Sequence, residues 1–141
     1  MGQDITNNMT NVGFYVCAKE LDFDFVASLL NIEIYTTRSK NTFKFEEFAK
    51  DYWMIDSGYA DVIDMNEQLE KVFSQIRDKA DEINLIREKY AAECGFDIHI
   101  KYYNLDSPAP GTYFESDFVS FAGKINAEIG MDFVPLVGEN K

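Results

Sequence analysis

One long amphipathic stretch, residues 65–90, most constrains what this chain can fold into. Its first half repeats apolar side chains every three or four residues, the period of an α-helix with one buried face. These residues are Met65, Leu69, Val72, Phe73 and Ile76. From Arg77 to Asp81 only Ala80 is apolar, and Lys79 takes a position where an apolar residue is expected. We therefore predict two helices that meet at this interruption; one unbroken helix is the alternative.

Strand-like segments lie on both sides of the helical stretch. They are residues 11–19, 32–39, 52–59, 96–103 and 131–137. In the first and fourth of them, apolar and polar residues alternate, which is typical of strands with one buried face. Pro135 suits a strand at a sheet edge. Two shorter helices are predicted, one capped by Asp22 and ending at Leu30, the other capped by Ser116 and closed by Gly130.

The order of these segments is β-α-β-β-α-α-β-α-β, which predicts the α+β class. We expect a single domain over residues 11–141, with a mixed five-stranded sheet and helices packed mainly on one face. Right-handed crossovers would place the first and last helices on the same side of that sheet. Residues 1–10 are polar and lack a period, so a frayed or disordered N-terminus is expected. Gly95 suits the left-handed position that follows a helix end.

The chain is strongly acidic. Its 141 residues include 25 acidic and 13 basic side chains, for a formal net charge of −12. This charge repels phosphate backbones and anionic lipid surfaces, so neither nucleic-acid binding nor membrane binding is expected. Solubility alone explains the acidity, and a basic protein partner is the alternative. The chain shows neither a signal sequence nor a membrane span, which favours the cytoplasm.

No segment carries a recognisable catalytic motif. The chain has one histidine, and its two cysteines lack the spacing of a zinc or redox site, so we expect two buried thiols, no metal and no cofactor. Asp56, Asp61 and Asp64 lie close in sequence, and carboxylates held together in a cleft can serve as acid and base. A helix cap is the simpler role for Asp61 or Asp64. Enzymatic activity is therefore not expected.

The sheet face opposite the helices is where we expect a binding site. If the first and fourth strands are neighbours, their outward side chains form one polar and aromatic patch. Its members are Tyr15, Cys17, Lys19, Asp97, His99, Lys101 and Tyr103. An ordinary solvated sheet face is the simpler interpretation, and a ligand groove is the alternative. Arg38 and Trp53 complete the candidate binding residues, although a core position is the favoured interpretation for Trp53.

Several short segments of the chain resemble a known family. They are Lys19-Glu20-Leu21-Asp22, Leu29-Leu30-Asn31-Ile32, Thr36-Thr37-Arg38, Trp53-Met54-Ile55-Asp56-Ser57 and Gly130-Met131-Asp132-Phe133, together with Ile83 and Tyr90 of the helical stretch. On these residues the chain resembles a bacterial family of domains of unknown function, numbered 4279. The resemblance implies a small cytoplasmic protein without an established activity, in a family of which some members are thought to lie near toxin and immunity loci. It implies no catalytic residues.

The leading hypothesis is a non-enzymatic, immunity-like protein-binding module whose acidic surface engages a basic partner such as a toxin domain. It rests on the net charge, the lack of catalytic motifs and the family resemblance. The alternative is a small-ligand-binding domain that uses the face of Tyr15, His99 and Tyr103. A third hypothesis is an enzyme built on carboxylates. A homodimer is compatible with each of them.

Overall fold

The computed structural model describes residues 9–60, 65–102 and 113–135. Its strands and helices follow the predicted order, with two short 3-10 turns between the second and third strands. The elements are β1 (Met9–Ala18), α1 (Phe23–Leu30), β2 (Thr36–Arg38), β3 (Asp51–Asp56), α2 (Met65–Ile76), α3 (Ala80–Tyr90), β4 (Glu93–Tyr102), α4 (Ser116–Lys124) and β5 (Glu128–Pro135). The predicted α+β class is confirmed.

The five strands form a single open sheet in the order β2-β3-β1-β4-β5. The pairs β2–β3, β3–β1 and β1–β4 are antiparallel, whereas β4 and β5 are parallel. The predicted mixed sheet is therefore confirmed. β5 reaches its parallel position through α4, and Pro135 is the last residue of this edge strand, a position where proline is tolerated.

The four helices bury one face of the sheet. Phe14 of β1 and Phe96 of β4 lie opposite each other, and their ring centroids are 5.1 Å apart. Phe118 of α4 packs 4.8 Å from Phe96, and Phe73 of α2 packs 5.4 Å from Phe118. α1 and α3 supply further buried aliphatic side chains to the same core. The prediction that the helices cover mainly one face is thus confirmed, and we call the opposite side the open face.

Local signals fix the ends of the helices. The Asp22 carboxylate accepts a hydrogen bond from the Phe25 N–H at 3.1 Å, as expected of an N-cap. The break between α2 and α3 lies where it was predicted, and the Lys79 N–H donates to the Ile76 carbonyl at 2.9 Å. The alternative of one unbroken helix is therefore wrong. Among the described residues, no helix combines the length and apolar character that a membrane crossing requires.

Several predicted boundaries differ from the structure. β1 begins at Met9 rather than residue 11; Thr10 is fully buried, and its N–H donates a hydrogen bond to the Ala60 carbonyl at 3.1 Å. β2 is confined to three residues. Ser116 is the first residue of α4 rather than its cap, since the cap position belongs to Glu115. The predicted cap Asp64 lies outside the described residues.

The end of α4 was predicted too late in the chain. α4 stops at Lys124 because Asn126 adopts the left-handed conformation, with φ of 54°, and turns the chain out of the helix. β5 consequently starts at Glu128, and Gly130 lies within it rather than at a helix end. Ile129 continues the apolar spacing of α4, and the predicted helix therefore extends too far. In the structure Ile129 lies in β5, where it pairs with Phe96 of β4 on the helix-covered face.

Candidate functional site

Residues of neighbouring strands line up in rows across the open face. One of these, which we call the glycine row, consists of Asp56, Gly13, Asp97 and Gly130. On one side lies a row of larger side chains that includes Met54 and Tyr15; on the other lie Asn11, His99 and Asp132. Because two members of the glycine row have no side chain, the sheet surface is depressed between its neighbours.

A shallow cleft of about 130 Å³ occupies this depression. Gly13 contributes bare backbone to its lining, while Tyr15 and Met54 form one wall and His99 stands on the opposite side. The carboxylates of Asp56 and Asp97 flank Gly13 along the glycine row. The remaining lining residues are Asn11, Phe14, Thr36 and Ile55. The cleft is therefore acidic, with one wall formed by an aromatic ring and a thioether.

Tyr15 is positioned by a second glycine. Gly95 lies opposite Tyr15 in β4, and a Cβ atom there would lie 2.6 Å from the Tyr15 hydroxyl oxygen and 2.9 Å from the Glu128 carbonyl oxygen. The Tyr15 side chain thus lies directly over the Gly95 backbone. The prediction that Gly95 ends a helix in the left-handed conformation is wrong, because Ala91 takes that position with φ of 51°.

Negative charge accumulates along the β4–β5 side of the cleft. Asp97 projects towards β5, and its Oδ1 lies 3.3 Å from the position that a Cβ atom would take at Gly130. Partial burial raises the pKa of Asp97, as do Asp132 and Glu128, whereas His99 opposes the shift. His99 Nδ1 lies 3.3 Å from Asp132 Oδ2, so a protonated His99 would neutralise only part of this charge. Acidic side chains therefore outnumber basic ones along this side of the cleft.

A family model described as "Domain of unknown function (DUF4279)" matches residues 8–135, which include every described strand and helix. The chain belongs to the DUF4279 family. The family resemblance seen in the sequence is thereby confirmed. No curated protein and no solved structure matches the chain significantly. The function of this DUF4279 domain therefore has to follow from its own residues.

The DUF4279 fold brings together only some of the sequence-predicted site residues. Tyr15 and His99 both line the cleft. Lys101 lies on the open face beyond His99, where its ammonium group is 4.1 Å from the ring centroid of Tyr59. Lys19 is exposed just after the end of β1. Tyr103 lies outside the described residues.

Two other predicted residues of the DUF4279 domain lie away from the cleft. Trp53 is fully buried on the helix-covered face, and its ring stacks on Tyr35 at 5.4 Å. Arg38 is exposed on β2, with its guanidinium 3.9 Å from the ring centroid of Phe43. Phe43 in turn stacks on Tyr52, so residues from the segment between β2 and β3 cover one corner of the open face.

The predicted carboxylate cluster cannot be assembled from the described part of the DUF4279 domain, because Asp61 and Asp64 lie outside it. Asp56 is exposed, and its carboxylate accepts a hydrogen bond from the Gly58 N–H at 3.0 Å. Asp56 instead belongs to the cleft through the glycine row. Its partner there is Asp97, which is distant in sequence.

The described residues offer little for covalent or metal chemistry in this DUF4279 domain. Over residues 9–60, 65–102 and 113–135, no group of three or more His, Cys, Asp or Glu side chains is placed to hold a metal ion. Both cysteines are buried and free, as predicted. Burial raises the pKa of Cys17 and raises that of Cys94 to about 11, which disfavours the reactive thiolate.

Sequence reasoning missed the residues that shape the cleft. Gly13 and Gly130 carry no periodic signal, and Met54 has the character of an ordinary strand residue. The position of Asp56 near Asp61 and Asp64 predicts only a candidate acid or base. One signal was present, since Gly13 interrupts an otherwise regular strand and a glycine inside a strand often marks a close approach or a depression.

Proposed function

We propose that this chain is a non-enzymatic, immunity-like protein-binding module of the bacterial cytoplasm, whose open face binds a basic protein partner such as a toxin domain. The cleft receives one basic side chain of that partner. The observation that carries the proposal is the glycine row, in which Asp56 and Asp97 flank the bare backbone of Gly13. The formal net charge of −12 would attract a basic partner over longer distances.

The size of the cleft supports a single side chain rather than a whole metabolite. Its volume is about 130 Å³. Pockets that enclose drug-sized molecules hold roughly 300–1,000 Å³ and bury most of the ligand. A lysine or arginine needs less room, because its charged end can reach the carboxylates while its alkyl stem lies along the wall.

The walls of the cleft suit such a side chain. Tyr15 and Met54 both line the cleft; an aromatic ring can attract a guanidinium or ammonium group, and a thioether provides an adaptable apolar contact. Asp97 supplies the opposite charge. Because partial burial raises the pKa of Asp97, ionisation of Asp97 costs more than that of a fully solvated carboxyl group, and a bound cation would offset part of that cost.

Affinity capture from a lysate of the source bacterium tests the proposal. The wild-type domain is compared with the double variant Asp56→Asn/Asp97→Asn, and captured proteins are quantified by mass spectrometry. We expect the wild type to retain a basic protein at low salt and to release it near 1 M salt, where the Debye length falls to about 3 Å. The double variant should retain about tenfold less of that protein, equivalent to about 1.4 kcal/mol.

A matched control separates the cleft from the overall charge. Asp24→Asn/Glu88→Gln removes two charges from exposed positions on α1 and α3, so its net charge equals that of the cleft variant. This control should capture the partner as the wild type does. Equal losses in both double variants would contradict a role for the cleft, and capture of no basic protein by the wild type would contradict the proposal.

A small cationic ligand is a second candidate, favoured by the concave shape of the open face. A molecule that enters about 130 Å³ with one charged group would use the same carboxylates. Titration with methylguanidinium, followed by amide NMR, should then give saturable shifts at Gly13 and Asp97. Unchanged spectra up to millimolar concentrations, where binding would be worth no more than about 4 kcal/mol, would remove this candidate.

A further inference from the structure

β5 forms a long and accessible edge of the sheet. It spans eight residues, Glu128–Pro135, and pairs with β4 on its inner side. No strand among the described residues pairs with its outer side. The opposite edge, β2, has only three residues. Because an unpaired edge presents backbone N–H and C=O groups to any extended chain, β5 is the edge at which another strand can be added.

The side chains of β5 alternate between two surfaces of different chemistry. Ile129 and Phe133 point to the helix-covered side but remain 38% and 49% exposed. Glu128 and Asp132 point to the open face, in the same direction as Asp97, and share that side of β5 with Gly130 and the exposed Val134. Along residues 128–133, an added strand would therefore place every second side chain against apolar groups and the others beside the carboxylates of Glu128 and Asp132.

A second copy of β5 is a poor occupant of this edge. An antiparallel two-fold pair centred on Gly130 would place Glu128 opposite Asp132, and one centred on Asp132 would place two aspartates opposite each other. A pair centred on Met131 places Asp132 opposite Gly130 of the other copy, and therefore diagonal to both Glu128 and Asp132 of that copy. Like charges in such positions destabilise paired strands, and each chain also carries a net charge of −12.

We propose that β5 is a strand-addition site for an extended segment of a protein partner in which basic and apolar side chains alternate. The basic side chains lie beside Glu128 and Asp132, and the apolar ones cover Ile129 and Phe133. Backbone hydrogen bonds to the edge supply affinity, and the alternation supplies specificity. The inference rests on the proposed function for the charge of the partner, but it assigns a different surface.

A synthetic peptide tests this proposal directly. The probe is an eight-residue peptide with alternating lysine and valine and blocked ends, and its control has the same composition with the lysines and valines in separate blocks. Binding is measured by fluorescence anisotropy and mapped by amide NMR. We expect the alternating peptide to bind about tenfold more tightly than the block peptide, a difference of about 1.4 kcal/mol. Its amide shifts should follow β5.

Matched variants locate the site. Phe133→Thr removes an exposed apolar group from β5 without changing the net charge, and Ile34→Thr does so just before β2, at the opposite edge. We expect Phe133→Thr to weaken peptide binding several-fold and Ile34→Thr to leave it unchanged. Equal affinities for the two peptides, or equal effects of the two variants, would overturn the proposal. Dimerisation of the free protein through β5 would also overturn it.

The same titration separates this inference from the proposed function. In the cleft variant Asp56→Asn/Asp97→Asn, the alternating peptide should still shift the amides of β5. If it does so, and the wild type and the cleft variant capture equal amounts of the partner, the proposed function fails and strand addition stands. If the peptide shifts only the amides around Gly13, strand addition fails and the cleft remains supported.

Discussion

Replacing Gly95 with alanine should destabilise the protein because the added methyl group would lie too close to three neighbouring atoms. The new Cβ would lie 2.6 Å from Oη and 2.8 Å from Cζ of Tyr15, and 2.9 Å from the Glu128 carbonyl oxygen. Overpacking of this kind costs about 1–3 kcal/mol, while the lower entropy of the unfolded alanine chain offsets about 0.4–1 kcal/mol. We therefore expect a net loss of about 1.5 kcal/mol, which lowers the Tm of a chain of this size by about 5 °C.

Chemical denaturation and calorimetry measure this loss, and a second glycine provides the control. Gly123 lies in α4, and beyond its two chain neighbours and the adjoining helix backbone, no heavy atom of the described residues lies within 4 Å of the place that an added methyl group would take. Gly123→Ala should therefore stabilise the protein by about 0.5–1 kcal/mol. In a Tyr15→Ala background, two of the three close contacts at Gly95 are lost, and Gly95→Ala should cost about 1 kcal/mol less. An unchanged cost in that background, or a fully stable Gly95→Ala protein, would refute the packing of Tyr15 on Gly95.

Three further predictions concern other parts of the structure. Because burial raises the pKa of Cys17 and Cys94, both thiols should resist maleimide at pH 8 in the folded protein and react after unfolding; rapid labelling of the native protein would contradict this. Asp22→Ala removes the cap of α1 and should cost about 1 kcal/mol in denaturant unfolding, whereas exposed Asp24 makes no such cap and Asp24→Ala should cost less. The folded-state pKa of Asp97 is raised, so the stability linked to its protonated form is present at low pH and lost as the pH rises through that pKa. Asp97→Asn should therefore stabilise the protein at pH 7, and this gain should shrink towards pH 3; a gain independent of pH would argue against the shift.

The local features of the fold could be predicted because each depends on residues close in sequence. The alternation around Phe14 and Phe96 identified two strands, and Asp22 marked the start of α1. The polar interruption near Lys79 separated α2 from α3. The predicted end of α4 is wrong because Ile129 continues the helical spacing by coincidence. Ile129 is apolar because it belongs to β5 and pairs with Phe96 of β4.

The cleft could be predicted only in part because it depends on strand register. The outward-facing positions of Tyr15 and His99 follow from the alternation, and the pairing of β1 with β4 places both beside the depression. The alignment of Gly13 with Gly130 requires the order of three strands, including a parallel pair formed across a helical crossover. Nothing local in the sequence sets that alignment, so the glycine row emerged only from the assembled sheet.

The central place of β1 has a consequence for synthesis on the ribosome. β1 ends at Ala18, and β4, which covers one of its edges, is complete only at Tyr102. At about 5–20 residues per second, the roughly 80 intervening residues take about 4–16 s to synthesise. During that interval an apolar strand with an open edge is available to other chains. Nascent β1 is therefore open to pairing with other chains during translation. Early binding of a chaperone to β1, or slower translation initiation that spaces the ribosomes on one mRNA, would raise the yield of folded protein.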